Sequence, residues 1–148
     1  MEIRLSQFVK APVDKVFEVF SDISQAEARV EGITRIEMLS DVTRGVGTRW
    51  RETRSMFGRE ATEEMEITAL VPNQSYEVVS ESRGANYHTI YTFQPKADGT
   101  QVDLVFSATP ITWPAKLMMP LGYLFQGTAR KLLQADMDDL KQFCEMQV

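Results

Sequence analysis

Three glycine-containing turn signals in the middle of the chain constrain its fold more than any other feature, because each joins two strands in a defined register. Gly58-Arg59 and Gly84-Ala85 suit type II′ turns, in which glycine supplies a positive φ, and Asp98-Gly99 suits a type I′ turn. The segments between them include half-buried strand patterns, with polar residues on every second position. The sequence therefore predicts an antiparallel meander of hairpins.

These turns also predict which residues face each other across the strands. The expected pairs are Arg54 with Glu63, Glu52 with Met65, Tyr76 with Phe93, and Phe93 with Leu104. The second and third turns are independent, yet both place Tyr87, Thr89, Tyr91 and Phe93 on one shared face. Because a slip of one residue would reverse that whole set, the agreement predicts a sheet with an aromatic concave side.

Helical patterns flank the meander. A first strand over residues 2–10 stops at Ala11-Pro12, and short helices are predicted over residues 13–20 and 25–30. After Pro110, apolar residues at three- and four-residue steps predict one long C-terminal helix: Leu121, Phe125, Ala129, Leu132, Leu133, Met137, Leu140, Phe143 and Cys144. Asp136 lies off this stripe, and we expect it to face solvent. The predicted class is α+β, a curved antiparallel sheet of about seven strands (β-α-α-β6-α) wrapped around the last helix.

Composition narrows the possible functions. The net charge of the 148 residues is -5, which argues against a broad nucleic-acid surface. One cysteine excludes an intramolecular disulfide, and one cysteine with one histidine cannot build the usual zinc site, so we expect neither a metal nor a cofactor. No signal peptide and no membrane-spanning run is evident, so a single cytoplasmic domain over 1–148 is expected.

A large curved sheet held off one helix leaves a hollow, which is a natural small-molecule site. The inner face carries bulky residues for a closed end and small residues nearby. The alternative is that this face is an ordinary packed core. The residues expected to contact a ligand are Trp50, Glu52, Arg54, Met65, Ile67, Tyr76, Val78, Ser80, Tyr87, Thr89, Tyr91, Phe93, Leu104, Phe106, Leu121 and Phe125.

Four segments carry a family resemblance: residues 11–17 (APVDKVF) with 20–22 (FSD), residues 45–48 (GVGT), residues 98–100 (DGT), and the final helix ending near Leu140-Lys141. Over almost the whole chain they resemble the START-like (SRPBCC, helix-grip) superfamily, closest to bacterial polyketide cyclase/dehydrase and lipid-transport-like members. The resemblance implies a hydrophobic cavity for a lipid, polyketide, quinone or similar ligand. The ring-hydroxylating branch needs metal-binding histidines and is excluded, since only His88 is present.

Three functions remain open. The first is binding or transport of a small hydrophobic ligand, with no recognisable catalytic constellation. The second is a polyketide cyclase or dehydratase that uses polar cavity residues such as Arg54, Glu52, Tyr87 or Tyr91 to polarise a carbonyl. The third is a protein-interaction module with a vestigial cavity.

For two groups of residues, the sequence allows two different environments. Glu52, Arg54 and Glu63 are expected on the inner face, where they either anchor a ligand or form a solvated ion-pair cluster at a projecting hairpin tip. Residues 113–125 are unusually apolar and form either the buried start of the last helix or a gate in transient contact with a membrane or partner.

His88 is predicted to pair with Glu81 on the outer face, away from any substrate.

Overall fold

The structure is a computed structural model that describes residues 1–56, 58–122 and 126–146. The strands are β1 (Glu2–Val9), β2 (Ile33–Met38), β3 (Arg49–Met56), β4 (Arg59–Val71), β5 (Ser75–Ser82), β6 (Ala85–Lys96) and β7 (Gly99–Pro110). The helices are α1 (Val13–Ser21), α2 (Ala26–Arg29), α3 (Trp113–Gly122) and α4 (Gln126–Met146), with a single 3-10 turn at Ile23–Gln25.

The seven strands form one antiparallel sheet in the order β1-β7-β6-β5-β4-β3-β2. The predicted α+β class and the helix-grip arrangement are therefore confirmed, with β1 and β2 as the two edges. Register shifts between Ile33 and Arg35 and between Ile67 and Ala69 interrupt the ladders. Such bulges increase twist and bend a strand, which suits a sheet that curves around helices.

The predicted cross-strand pairs are wrong by two residues, although the faces are right. Arg54 stands opposite Ala61, and Glu52, not Arg54, stands opposite Glu63. Tyr91 likewise pairs with Tyr76 and with Leu104. Each turn lies one residue earlier than predicted, so the pairing moves by two and every side chain keeps its face.

The β5–β6 turn explains the difference. Ser82 pairs with Ala85, so Arg83 and Gly84 are its two central residues, with φ angles of 51° and 77°. Positive φ at both positions defines a type I′ turn, in which a non-glycine residue takes the first position and glycine the second. The sequence analysis assigned glycine to the first position, as a type II′ turn requires.

The core lies between the concave face, α1 and α4. Phe17 and Phe20 of α1 pack edge-on against Phe93, with ring centroids 5.2 Å and 5.5 Å apart. Met137 and Cys144 of α4 are fully buried in the same cluster. The predicted aromatic face therefore points inward, and α1 supplies much of what covers it.

Helix α3 differs from α4 in its surroundings. It contacts β7, but Trp113, Leu117 and Met118 are 75%, 67% and 56% exposed. The expectation that this apolar segment is a buried helix start is therefore wrong for these residues, while the segment's last part, 123–125, lies outside the described residues. Among the described helices, none is long and apolar enough to cross a membrane.

The close approach of β7 to the end of β1 gives a test of this packing. A methyl group at Gly99 would overlap the Val9 carbonyl oxygen and lie 3.0 Å from the Lys10 Cα. Backbone atoms cannot move aside cheaply, so Gly99→Ala is expected to lower the free energy of unfolding by about 1–3 kcal/mol. Urea denaturation measures the change.

Gly127→Ala is the matched control, because a methyl group there meets no atom within 4 Å and the residue lies in α4. Its stability is expected to stay the same or to rise slightly, since alanine favours helix. Equal stability of the two variants would contradict the packing described for Gly99.

Candidate ligand-binding cavity

A cavity of about 280 Å³ lies between the sheet, α1, α2 and α4. Its wall is mainly apolar. The sheet contributes Trp50, Met65, Val78 and Phe106, and the helical side contributes Val19, Phe20, Ile23, Ala26, Val30, Ala129, Leu132, Leu133 and Leu140. Side chains therefore do not completely fill the space between the sheet and the helices, in agreement with the hollow predicted from the sequence.

One charged cluster interrupts the apolar wall. The Arg54 Nε donates to Glu52 Oε2 at 2.7 Å, and its two Nη atoms donate to Asp136 Oδ1 and Oδ2 at 3.0 Å and 2.5 Å. The side chains of Glu52, Asp136 and Arg54 are 9%, 16% and 21% exposed. Arginine presents a planar fork that matches a carboxylate in two parallel bonds, so Arg54 ties strand β3 to helix α4.

This geometry decides between the two alternatives for the cluster. The solvated hairpin tip is wrong, because Arg54 and Glu52 line the cavity and contact α4. The expectation that Asp136 faces solvent is also wrong. Glu63 stands opposite Glu52, but its carboxylate forms no ion pair with any cation in the described part of the chain.

Burial and charge act against each other in the cluster. Burial raises the pKa of Asp136, and the hydrogen bonds and positive charge of Arg54 lower it, so the pKa stays somewhat above its usual range. Burial also lowers the pKa of Arg54, but the bonds to Asp136 and the charge of Glu52 more than offset this. Arg54 is therefore a permanent cation held between two carboxylates.

Three hydroxyl-bearing residues of β5 and β6, Tyr76, Thr89 and Tyr91, also line the cavity. The Tyr76 hydroxyl donates to the Phe20 carbonyl oxygen at 3.1 Å. The Tyr91 ring stacks on Tyr76 at 4.7 Å, and burial, with the charges of Asp136 and Glu52, raises the Tyr91 pKa well above its usual range. Thr89 and Tyr91 both line the cavity, and within the described part of the chain neither hydroxyl forms a hydrogen bond with another protein group.

The structure brings nine of the predicted site residues to this cavity: Trp50, Glu52, Arg54, Met65, Tyr76, Val78, Thr89, Tyr91 and Phe106. Ile67, Phe93 and Leu104 are buried core residues instead, 0%, 3% and 1% exposed. The Ser80 hydroxyl donates to the Glu64 carbonyl oxygen. The side chain of Leu121 and all of Phe125 lie outside the described residues.

Tyr87 belongs to a different hollow. Its ring stacks on Phe106 at 5.9 Å, and it lines a second cavity of about 220 Å³ together with Met118 of α3. Alternation along a strand predicts which face of the sheet a side chain lies on. It does not predict which part of the covering helices that side chain contacts, and for this reason Tyr87 and Tyr91 were predicted to lie in one site.

Asp136 is a polar cavity residue that was not predicted from the sequence. Its spacing to Leu132, Leu133 and Leu140 is four, three and four residues, so it shares their helix face. That spacing was a usable signal, and the placement of Asp136 off the apolar stripe was wrong.

His88 and Cys144 are not part of the cavity. The His88 Nε2 lies 2.7 Å from Glu77 Oε1 on the outer face, so the face was predicted correctly and the partner, Glu81, was wrong. Burial raises the pKa of the Cys144 thiol to about 11, which keeps it un-ionised at neutral pH.

Comparisons with known proteins agree with this architecture. A family model described as "Polyketide cyclase / dehydrase and lipid transport" matches residues 1–145. A comparison with curated proteins gives no match.

Solved structures show the same fold at low sequence identity. A START superfamily protein from Mycobacterium smegmatis has a TM-score of 0.74 at 12% identity, with 99% of each chain covered. TTHA0849 from Thermus thermophilus has a TM-score of 0.79 at 17% identity, with 96% of this chain and 95% of that chain covered. The di-domain ARO/CYC StfQ from the steffimycin biosynthetic pathway has a TM-score of 0.82 at 13% identity, and the match covers 99% of this chain but 51% of StfQ.

The buried cluster is tested by removing its cation. Arg54→Met leaves Glu52 and Asp136 without a counter-charge, so we expect the free energy of unfolding at pH 7 to fall by about 3 kcal/mol. The loss is expected to shrink on acidification, since burial raises the pKa of Asp136 and its protonation in the folded variant relieves the repulsion. Urea denaturation at pH 7 and pH 5 measures both effects.

Arg51→Met is the matched control on the same strand. Arg51 also pairs with two carboxylates, Glu37 and Glu64 at 2.9 Å each, but on the exposed outer face. Exposed pairs contribute little, so its loss is expected to be much smaller and to change little with pH. Equal losses for the two variants would contradict a buried cluster.

Proposed function

The chain belongs to the polyketide cyclase/dehydrase and lipid transport family, and we propose that it binds a small, largely apolar ligand in the cavity between the sheet and α4. The observation that carries this proposal is an open cavity of about 280 Å³ with an apolar wall. Ligand sites are commonly concave and apolar with a few polar groups that set orientation. An interaction module with a vestigial cavity would be better supported by a filled interior.

The cavity volume limits the ligand. An engineered apolar cavity of about 150 Å³ is enough to bind benzene, so a cavity of about 280 Å³ suits a compact ligand of about two rings or a short acyl chain. The residues we propose as its contacts are those predicted residues that line the cavity, together with Asp136 and the apolar face of α4.

A second candidate is a cyclase or dehydratase, favoured by the position of the Tyr91 hydroxyl. Tyr91 and Arg54 both line the cavity, and the raised pKa of Tyr91 keeps its hydroxyl protonated at neutral pH. A protonated hydroxyl beside a cation can donate to a carbonyl oxygen as negative charge develops there.

Binding is testable with the tryptophans. The chain has two: Trp50 is 2% exposed and lines the cavity, and Trp113 is 75% exposed. In a Trp113→Phe background, titration with the neutral probe N-phenyl-1-naphthylamine is expected to give saturable energy transfer from Trp50 at one probe per chain.

Ala129→Phe is expected to weaken this binding by about tenfold or more, because its ring occupies part of the cavity. Ala135→Phe, an exposed position of the same helix, is the control and is expected to bind normally. Absence of a saturable signal in the starting protein, or normal binding by Ala129→Phe, would contradict the proposed site.

The enzymatic candidate requires turnover. Incubation with a linear poly-β-ketone is expected to yield a cyclised aromatic product, detected by absorbance, and Tyr91→Phe is expected to slow its formation while leaving N-phenyl-1-naphthylamine binding intact. An unchanged rate in Tyr91→Phe would reject Tyr91 as the donor, and spontaneous cyclisation without protein sets the baseline.

A further inference from the structure

We propose that the cavity selects an uncharged ligand carrying a hydroxyl or carbonyl group and rejects carboxylates such as free fatty acids. This inference rests on the proposed function and names the chemistry of the ligand that the same cavity accepts.

The Arg54 cluster has more negative than positive charges. Glu52 and Asp136 carry two negative charges and Arg54 one positive charge, so the three side chains together carry one net negative charge. Arg54 is the only cation among the described residues that line the cavity. A ligand carboxylate there would meet a site that is already anionic.

Arg54 is already paired with a carboxylate on both sides. Three of its five N–H groups donate to Glu52 and Asp136, including both Nη atoms in the two-point contact with Asp136. A ligand carboxylate could bind Arg54 bidentately only by displacing Asp136 from the two Nη atoms or Glu52 from Nε. Either displacement would leave a poorly solvated carboxylate unpaired. The two N–H groups that remain suit single hydrogen bonds to neutral acceptors.

The surroundings increase the negative charge. Glu63 stands directly opposite Glu52 on the inner face of the sheet and has no ion-pair partner in the described part of the chain. Directly opposed side chains lie about 5 Å apart at Cβ, close enough for like charges to repel. The nearby arginines of β3, Arg49 and Arg51, pair with glutamates on the outer face and do not offset it.

Neutral polar groups find partners in the same cavity. A hydroxyl such as that of Tyr91 or Thr89 can donate or accept. Within the described part of the chain, Glu52 Oε1 accepts only a long hydrogen bond of 3.4 Å from Trp50 Nε1. A ligand hydroxyl could donate to Glu52 and accept from Tyr91, and a ligand carbonyl could accept from Tyr91 or Arg54. Each arrangement leaves the Arg54–Asp136 contact intact.

The test uses three probes with the same naphthalene ring system: 2-naphthamide, 2-naphthol and 2-naphthoate. The amide and the carboxylate have nearly the same shape and differ in charge. Isothermal titration calorimetry of the unaltered protein at pH 7 is expected to show the amide and the naphthol binding about tenfold or more tightly than the carboxylate.

A dry cavity of any composition disfavours an anion, so a variant must show that the cluster is responsible. Glu52→Gln keeps the shape of the side chain and removes one negative charge, and it is expected to raise the carboxylate affinity relative to the amide by about tenfold. Asp136→Asn removes the negative charge that α4 contributes to the cluster, and it replaces Glu52→Gln in the test if that variant does not fold. Glu64→Gln, an exposed glutamate of β4 paired with Arg51, is the control and is expected to leave the ratio unchanged.

The outcomes separate this inference from the proposed function. Binding of the amide and the carboxylate with equal affinity, or a ratio that neither Glu52→Gln nor Asp136→Asn changes, overturns the inference while binding itself stands. Failure of all three probes to bind overturns the proposed function and the inference together.

Discussion

The contact between Arg54 and Asp136 is the interaction on which the cavity depends. Helix α4 packs closely against α1 and β1, where Gln7 donates to Asp138 and Arg130 donates to the Arg4 carbonyl oxygen. Toward β3 the sheet curves away, and the long Arg54 side chain reaches across to α4. Helix and sheet are therefore joined by packing on one side and by an ion pair on the other, with the cavity between them.

Packing around Arg54 gives that contact a fixed geometry. The Nη1 atom would lie only 3.3 Å from a side-chain carbon added at Gly32, so the loop after α2 approaches the guanidinium closely. Glu52 holds the Nε atom from the same strand. A cation that is fixed by two carboxylates and by the adjoining backbone serves as a wall of the cavity and has a limited capacity to bind an incoming anion.

Much of this architecture could be predicted from the sequence, because side-chain alternation and turn residues are local signals. The faces of Tyr91 and Phe93 were right even though the pairing was wrong by two residues, since a shift of two preserves the face. The inward direction of Asp136 could have been obtained from its helical spacing to Leu133 and Leu140. The position of Tyr87 beside a second cavity and the exposure of α3 could not be obtained in the same way. They depend on how a helix lies across a curved sheet, which no local pattern specifies.

The central claim is that an uncharged ligand occupies the cavity beside an intact Arg54–Asp136 pair. A crystal structure of the protein with bound 2-naphthamide tests this most directly. We expect electron density for the ligand between β6 and α4, with its amide within hydrogen-bond distance of Tyr91 or Glu52 and with the Arg54 contacts preserved. Density only in the second cavity beside Tyr87, or a main cavity closed by its own side chains, would contradict the account.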